Sequence, residues 1–268
     1  MNAKAVVLAS TAALTLTLAQ GACSRQGPSP ARQAQASGAE APDQGYRAAP
    51  LVSGVTQAAD GAVTLSGRAL PSSHVRMVSP AGARIDTPAN GAGVWAAPIG
   101  PVSEPALYRL TEEAGGQTVD AEGFVAVLPG GPAVALLRAG AGAEVVRDAG
   151  KAPLTILAVD YDGAGAAVVS GRAAAATPVR VMVDGQPAVE GAAGADGRFS
   201  LTLPKPLVTG RHRLQAQTPQ ALAGVEVVLT PPAPPKNAPY QAHAESFGWR
   251  VDWTTPGGGA QTTLLLAG

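Results

Sequence analysis

Histidine is the side chain best suited to proton transfer near neutral pH, and it is also a common metal ligand. The chain has three histidines, His74, His212 and His243. None of them has another histidine or a cysteine at a spacing typical of a metal site. An internal alignment described below places His212 opposite Tyr108, which indicates a position on an amphipathic strand. The sequence therefore predicts no catalytic residue and no metal site.

Other short segments have part of a functional pattern. Asp160–Gly163 begins like a calcium-binding loop, but the later ligand positions are missing, so we predict a solvated strand end and turn. Gly257–Gly259 is not followed by the lysine and hydroxyl residues of a phosphate-binding loop, and the chain has no Gly-x-Ser-x-Gly elbow. Glu112 and Glu113 are predicted to be a solvated pair in a loop. These patterns favour a protein that is not an enzyme and needs no cofactor.

Two tryptophans near the end of the chain could bind a ligand. Trp249, Val251 and Trp253 would lie on one face of a strand, with Arg250 and Asp252 on the other. The two indole rings would then be ~13–14 Å apart, a spacing at which an exposed pair could bind a sugar. In the alternative interpretation, which we favour, the pair covers a sandwich core.

Charge and composition limit the classes of function. The chain has 19 basic and 19 acidic residues, so its formal net charge is zero and nothing indicates a nucleic-acid partner. Its 33 glycines and 24 prolines disfavour long helices outside the first twenty residues.

The N-terminus has the pattern of an export signal, in which Lys4 precedes the apolar run Ala5–Ala19. The residues that follow resemble the lipobox of bacterial lipoproteins, since Gly21, Ala22 and Cys23 fit that pattern, although Gln20 departs from it. The resemblance implies that Cys23 is lipidated and becomes the mature N-terminus. In the alternative, cleavage after Ala19 leaves Cys23 as a free thiol.

The lipoprotein resemblance also has consequences for location. Ser24 is not an inner-membrane retention signal, so we expect an outer-membrane lipoprotein that faces the periplasm or the cell surface. A soluble periplasmic or secreted protein is the alternative. The following segment, up to residue 49, is rich in Pro, Gln, Ala, Ser and Gly and predicts a disordered tether.

The rest of the chain contains one module twice, with an offset of 104 residues. Gly61–Ala69 aligns without gaps with Gly165–Ala173. The same offset aligns three further pairs of segments, which are Val75–Met77 with Val179–Val181, Gly93–Trp95 with Gly197–Phe199, and Arg109–Leu110 with Arg213–Leu214. A match of this length in a single register predicts two copies of one fold.

Within each copy, apolar residues alternate with polar ones, as in Phe199, Leu201 and Leu203. This period of two, with Asp-Gly and Asn-Gly turns between the runs, predicts short antiparallel strands. We therefore predict an all-β protein with two tandem immunoglobulin-like sandwiches and extra hairpins, after a signal helix and a disordered tether. The predicted segments are a signal peptide (1–22), a linker (23–49), domain 1 (50–130), a connecting hairpin (131–152), domain 2 (153–230), a stiff proline-rich linker (231–239) and a C-terminal hairpin (240–268) that docks on a sandwich.

The second copy, from Gly165 to Leu214, is similar to bacterial immunoglobulin-like modules. The modules that it most resembles occur in envelope proteins of alphaproteobacteria, often beside a peptidoglycan-binding LysM domain. We find no LysM domain in this chain, so the resemblance implies a fold and not peptidoglycan binding.

Taken together, these patterns predict a non-enzymatic cell-envelope lipoprotein whose modules act as spacers or as a protein-interaction surface. The alternative is an accessory protein that binds carbohydrate or peptidoglycan. The expected partners are the membrane, through a lipid on Cys23, and an envelope protein or a glycan. Two pairs of arginines recur at the 104-residue offset, Arg68 with Arg172 and Arg76 with Arg180, and they indicate either conserved salt bridges within the modules or a shared surface.

Overall fold

A computed structural model describes residues 47–129, 133–146 and 152–267. These residues form nineteen strands and no helix, and every strand pairing is antiparallel, which confirms the predicted all-β fold. No helix in these ranges could therefore cross a membrane. The predicted signal helix, Cys23 and the tether as far as residue 46 lie outside the described residues.

The first sandwich has a three-stranded sheet (sheet A) opposite a sheet whose first four strands belong to the module (sheet B). Sheet A has the order β1-β2-β5, and this part of sheet B has the order β4-β3-β6-β7. Buried side chains from both sheets, among them Leu65, Met77, Trp95 and Leu110, form the core between them. The strands are β1 (Leu51–Gln57), β2 (Ala62–Arg68), β3 (His74–Val78), β4 (Arg84–Pro88), β5 (Val94–Pro101), β6 (Ala106–Ala114) and β7 (Gln117–Leu128).

The second sandwich repeats this arrangement. Part of sheet C, with the order β14-β11-β10, packs against sheet D, with the order β13-β12-β15-β16, around a core that includes Val169, Val181, Phe199 and Leu214. Asp184 and Gly185 both have positive φ, as the predicted Asp-Gly hairpin turn requires. The strands are β10 (Leu154–Asp162), β11 (Ala167–Ala173), β12 (Pro178–Val183), β13 (Gln186–Ala192), β14 (Arg198–Thr202), β15 (Gly210–Gln217) and β16 (Leu222–Leu229).

The two copies keep the 104-residue offset in their strand pairing. Val52 pairs with Gly67 and Ile156 pairs with Gly171, and a bulge follows at the same place in both copies. A Cβ atom at Gly67 would lie 2.6 Å from the Trp95 ring, and one at Gly171 would lie 2.5 Å from the Phe199 ring. The glycine of the repeated Ser-Gly-Arg motif therefore makes room for the repeated aromatic residue.

Strands outside the two modules extend both inner sheets. The connecting segment forms β8 (Ala133–Leu137) and β9 (Glu144–Val146), and β8 pairs with β7, so sheet B has six strands. The tail forms β17 (Tyr240–Glu245), β18 (Gly248–Thr254) and β19 (Ala260–Leu266), and β19 pairs with β10, so sheet C also has six strands. The C-terminal hairpin thus has a third strand, β17, which the sequence did not predict because it contains few large apolar residues.

A third apolar core lies between sheets B and C. Its side chains come from the faces of these sheets that point away from their own sandwiches, so that Ala126 and Leu128 face the third core while their neighbours Val125 and Val127 face the first. The buried members are Leu107, Ala126, Leu128, Ala135, Leu137, Ala143, Val145, Leu157, Ala158, Val251, Trp253 and Leu265. The sheets are therefore stacked in the order A, B, C, D, with an apolar core between each neighbouring pair.

The proline-rich segment after the second module lies against the tail strands. The backbone carbonyl of Pro231 accepts a hydrogen bond from Arg250 Nη2 at 3.1 Å, and that of Ala233 accepts one from Gln241 Nε2 at 2.6 Å. This part of the predicted stiff linker is therefore packed against the fold instead of separating two bodies. Polar contacts are made here because a proline-rich backbone leaves its carbonyl groups free to accept hydrogen bonds.

Candidate functional site

The two tryptophans considered as a sugar platform lie on β18, at the third core. Trp253 is fully buried, and its ring meets that of Phe124 edge to face, with centroids 6.0 Å apart. Its Nε1 donates a hydrogen bond to Thr263 Oγ1 at 3.2 Å. Trp249 is partly buried against the same core. Trp253 has no free face for a ligand, so the pair does not form an exposed platform. It covers a core, but that core lies between the two sandwiches.

The opposite face of β18 has a buried ion pair. Arg250 donates to Asp252 from Nη2 at 2.7 Å and from Nε at 2.9 Å, and its Nη1 donates to the Tyr161 hydroxyl at 2.7 Å. Burial disfavours the ionised form of Asp252, but hydrogen bonds from Arg250 and Thr262 outweigh burial and lower its pKa. This network joins the tail to β10 of the second module. The alternation along β18 correctly predicted that Arg250 and Asp252 lie on the face opposite to the tryptophans. It did not predict that both charged side chains are buried.

Asp160 is buried at the junction between sheets B and C. Its carboxylate accepts hydrogen bonds from Thr263 Oγ1 at 2.6 Å and from the backbone N–H of Ala143 at 2.7 Å. Burial raises its pKa to about 6, against the lowering effect of these hydrogen bonds. The prediction of a solvated strand end was therefore wrong for Asp160, because β19 covers this part of β10. The turn itself is as predicted, since Asp162 Oδ1 accepts from the N–H groups of Ala164 and Ala166.

The histidines do not form a catalytic group in the described structure. His74 and His243 are exposed. His212 is buried, with Nδ1 2.8 Å from Asp184 Oδ2 and Nε2 2.8 Å from the Val208 carbonyl oxygen. Burial opposes protonation of His212, but hydrogen bonds to the Asp184 carboxylate and to Val208 outweigh burial and raise its pKa. Both ring nitrogens are engaged by acceptors of the fold, so His212 connects the Asp184 turn to the segment before β15. No group of three or more His, Cys, Asp or Glu residues within the described ranges could hold a metal ion.

Glu112 lies in the first module, on β6, and not in a solvated loop as predicted. Its side chain is fully buried, and Oε2 accepts a hydrogen bond from the Leu70 N–H at 2.7 Å. Glu113 is exposed on the other face of the strand. The sequence prediction was therefore wrong for Glu112. A charged side chain is normally expected in solvent, but the alternation of β6 turns Glu112 toward the core. Alanine, at position 216, is at the equivalent place in the second module.

An arginine-lined cleft of about 220 Å³ lies where the β8–β9 connection meets sheet C. Arg138, Arg172 and Arg198 line it together with Ser170 and Ser200, whose hydroxyl oxygens are 3.2 Å apart. The guanidinium groups already have partners. Arg138 donates to the Gly142 carbonyl, Arg172 donates to the Asp196 carbonyl at 3.1 Å, and Arg198 forms an ion pair with Glu144. Of these contacts only the Arg198–Glu144 ion pair connects sheet C to sheet B, and the other two lie within the β8–β9 connection and within the second module, respectively.

The recurring Arg76 and Arg180 form the same salt bridge in both copies. Arg76 Nε is 2.8 Å from Asp86 Oδ1, and Arg180 Nε is 2.7 Å from Glu190 Oε1. In each copy the partner lies directly opposite on the neighbouring strand. The sequence left open a salt bridge or a shared surface for these arginines. The structure has a cross-strand ion pair, which is partly or fully exposed in both modules.

Comparisons with known proteins assign no family to the chain, since no family model and no curated protein match it. The chain also matches several solved structures, each with low sequence identity and a low TM-score. One, titled "Biofilm associated protein - BSP domain", has 15% identity and a TM-score of 0.26, and the match covers 69% of this chain but only 30% of that one. The central fibronectin-III array of RIM-binding protein has 17% identity and a TM-score of 0.25, with 77% and 71% covered. A third structure concerns the host cell surface retention of a 1.5-MDa bacterial ice-binding adhesin. It has 12% identity and a TM-score of 0.22, and the match covers 82% of this chain and 88% of that one.

Proposed function

We propose that this chain is a non-enzymatic protein of the cell envelope, held to a membrane by a lipid on Cys23, in which two immunoglobulin-like modules act as one rigid interaction unit. The third core carries this proposal. Tandem modules joined by a flexible linker could take many relative orientations, but these two modules share an apolar interface, to which their own inner strands and the added strands β8, β9, β18 and β19 all contribute. A buried apolar interface of this kind favours one fixed orientation.

The polar groups that could perform chemistry support the non-enzymatic part of the proposal. Asp160, His212 and the Arg250–Asp252 pair each use their hydrogen-bonding atoms to connect strands or loops of the fold. A catalytic acid or base needs an accessible atom within hydrogen-bonding distance of a substrate. Each of these groups therefore has a structural role that accounts for its burial.

Rigidity can be tested on the full chain with Cys23→Ser, which removes the site of lipidation. We expect calorimetry to give a single unfolding transition for both modules. Val251→Asp places a charge in the third core and leaves the cores of both sandwiches intact, so it should split the transition and increase the radius of gyration measured by X-ray scattering. Val228→Asp, on the exposed face of sheet D, is the matched control and should do neither. Two independent transitions in the parent chain would contradict a single rigid unit.

Anchoring and binding need separate measurements. Metabolic labelling with a palmitate analogue should label the parent chain and not Cys23→Ser, and equal labelling of both would exclude the anchor. Incubation with purified peptidoglycan followed by sedimentation should leave the protein in the supernatant. Sedimentation with peptidoglycan would instead favour a glycan-binding accessory protein. An envelope protein that co-purifies with the parent chain and not with Val251→Asp would indicate that binding depends on the fixed orientation of the modules.

A further inference from the structure

The edge strands of the four sheets differ in how they are protected. An open edge exposes unpaired backbone N–H and C=O groups, and natural proteins block unwanted pairing there with charged residues or proline. The four sheets have eight edge strands, and seven of them contain at least one such residue. Examples are Pro98 and Pro101 in β5, Arg84, Asp86 and Pro88 in β4, Glu144 in β9, Arg198 in β14, Glu245 in β17, Pro187 and Glu190 in β13, and Glu226 in β16.

The eighth edge strand, β1, contains neither a charged residue nor a proline. Its sequence from Leu51 to Gln57 is Leu-Val-Ser-Gly-Val-Thr-Gln. Its hydrogen-bonded neighbour in the described sheet is β2 alone, and Thr56 and Gln57 are exposed. β9 approaches β1 without pairing with it. β1 is therefore the one edge of the described fold that lacks these guards against strand addition.

The second module shows how the equivalent edge is filled. With the 104-residue offset, β1 corresponds to β10, whose edge pairs with β19 in an antiparallel ladder from Ala158 to Asp162. The positions equivalent to the exposed Thr56 and Gln57 are Asp160 and Tyr161, and both are buried. The same strand of the same fold thus accepts a further antiparallel strand in one copy and has none in the other.

We propose that β1 pairs with β1 of a second copy of this chain, antiparallel about a twofold axis, so that two A sheets become one six-stranded sheet. In a twofold interface every pairing occurs twice: if one residue of the first copy pairs with a second residue of the other copy, the reverse pairing is also made. Such pairing is unfavourable for a strand that brings like charges together. β1 has no charged residue, so an antiparallel copy of the same strand brings no like charges together. The lack of charge makes a second copy the occupant that this edge fits best.

The test measures self-association of the full chain with Cys23→Ser by sedimentation equilibrium. We expect a concentration-dependent dimer. The ladder on the equivalent edge of β10 is centred on Asp160, the counterpart of Thr56, so we expect the twofold axis at Thr56. Thr56→Lys then places like charges opposite each other and should weaken the dimer about tenfold or more. Leu222→Lys is the matched control, since it adds the same charge to the exposed end of β16, an edge that Glu226 already guards, and it should leave the dimer unchanged. Circular dichroism and the melting temperature of each variant check that the fold is intact.

A mixing experiment distinguishes self-pairing from other causes of weakening. Thr56→Lys and Thr56→Glu chains should each dimerise poorly alone, and an equimolar mixture should form a heterodimer because opposite charges then meet. Three results would overturn the proposal: a parent chain that stays monomeric, a dimer that survives Thr56→Lys, or a mixture that fails to restore the dimer. A parent chain that dimerises only after removal of residues 24–46 would also overturn it, because the N-terminal segment would then be the occupant of this edge.

Discussion

Asp160 accepts a hydrogen bond from the backbone N–H of Ala143, 2.7 Å away, and so links sheet C to the loop that joins β8 and β9 of sheet B. The same junction includes Gln261 on β19, whose side chain donates to the Arg138 carbonyl at 3.2 Å and accepts from the Gly140 N–H at 3.2 Å. Both side chains act between the modules and not within one of them. These hydrogen bonds therefore connect the two inner sheets at the polar end of the third core.

The first prediction concerns the pH dependence of stability at Asp160. Its pKa is raised to about 6 in the folded state, above its value in an unfolded chain, so the folded state favours the protonated acid. Ionisation of Asp160 therefore costs nothing at low pH, and the cost grows to about 3 kcal/mol as the pH rises from ~4 to ~6. Asp160→Asn should remove this cost. Urea unfolding of both chains between pH 4 and 7 should show the variant gaining stability relative to the parent as the pH rises. A difference that does not change with pH would contradict the prediction.

The second prediction concerns His212. Its pKa is raised, so its contribution to stability is fully present below the unfolded value of ~6.5 and is lost as the pH rises through the folded value. A titration of the imidazole followed by NMR should have its midpoint above ~6.5. Asp184→Asn removes the carboxylate that lies 2.8 Å from Nδ1 and should lower that midpoint. A midpoint that Asp184→Asn leaves in place would show that Asp184 is not responsible for the shift.

The third prediction separates the two tail tryptophans. Trp253 is fully buried in the third core and Trp249 is only partly buried. Trp253→Ala should lower the free energy of unfolding by about 3–5 kcal/mol because it leaves a cavity and removes the partner of Phe124. Trp249→Ala should cost clearly less. Urea denaturation monitored by circular dichroism checks both values, and a larger loss for Trp249→Ala would mean that the two roles are reversed.

The fourth prediction concerns the glycine under the repeated aromatic residue. A methyl group at Gly171 would collide with the Phe199 ring and with the Thr155 carbonyl oxygen, so Gly171→Ala should destabilise the second module by about 2 kcal/mol or more. Gly163→Ala is the control, because a Cβ there meets nothing within 4 Å, and its effect should stay within about 0.5 kcal/mol. Replacing Phe199 with Leu in the Gly171→Ala chain should recover part of the loss, and an unchanged loss would point to the backbone contact alone.

The modules could be predicted from the sequence because most of their strands have one face toward a single core. The alternation of Phe199 and Leu201 with polar residues, and the 104-residue register, directly reflect that arrangement. The third core gave no such signal. Between Val125 and Leu128 every side chain is buried, since successive residues face two different cores, and a continuous apolar run does not reveal what covers either face.

The polar residues of the candidate sites were predicted less well, for a related physical reason. Asp160 and Glu112 were expected in solvent because charged side chains are seldom fully buried. In the fold, Asp160 accepts hydrogen bonds from the distant Thr263 and Ala143, whereas Glu112 accepts one, from Leu70 N–H, and its Oε1 is buried without a partner. Such long-range compensation depends on which strands become neighbours, and neither residue type nor local spacing contains that information.

The position of β19 has a consequence for how the protein folds during synthesis. This strand lies in the middle of sheet C, between β10 and β18, and its Thr263 bonds Asp160, which precedes it by 103 residues. The first module has its complete set of strands early in the chain. The second module must wait, with the β10 edge and its side of the third core uncovered, until β19 has been synthesised. A nonsense mutation before β19 would leave this edge and this apolar surface permanently exposed, and such surfaces favour aggregation.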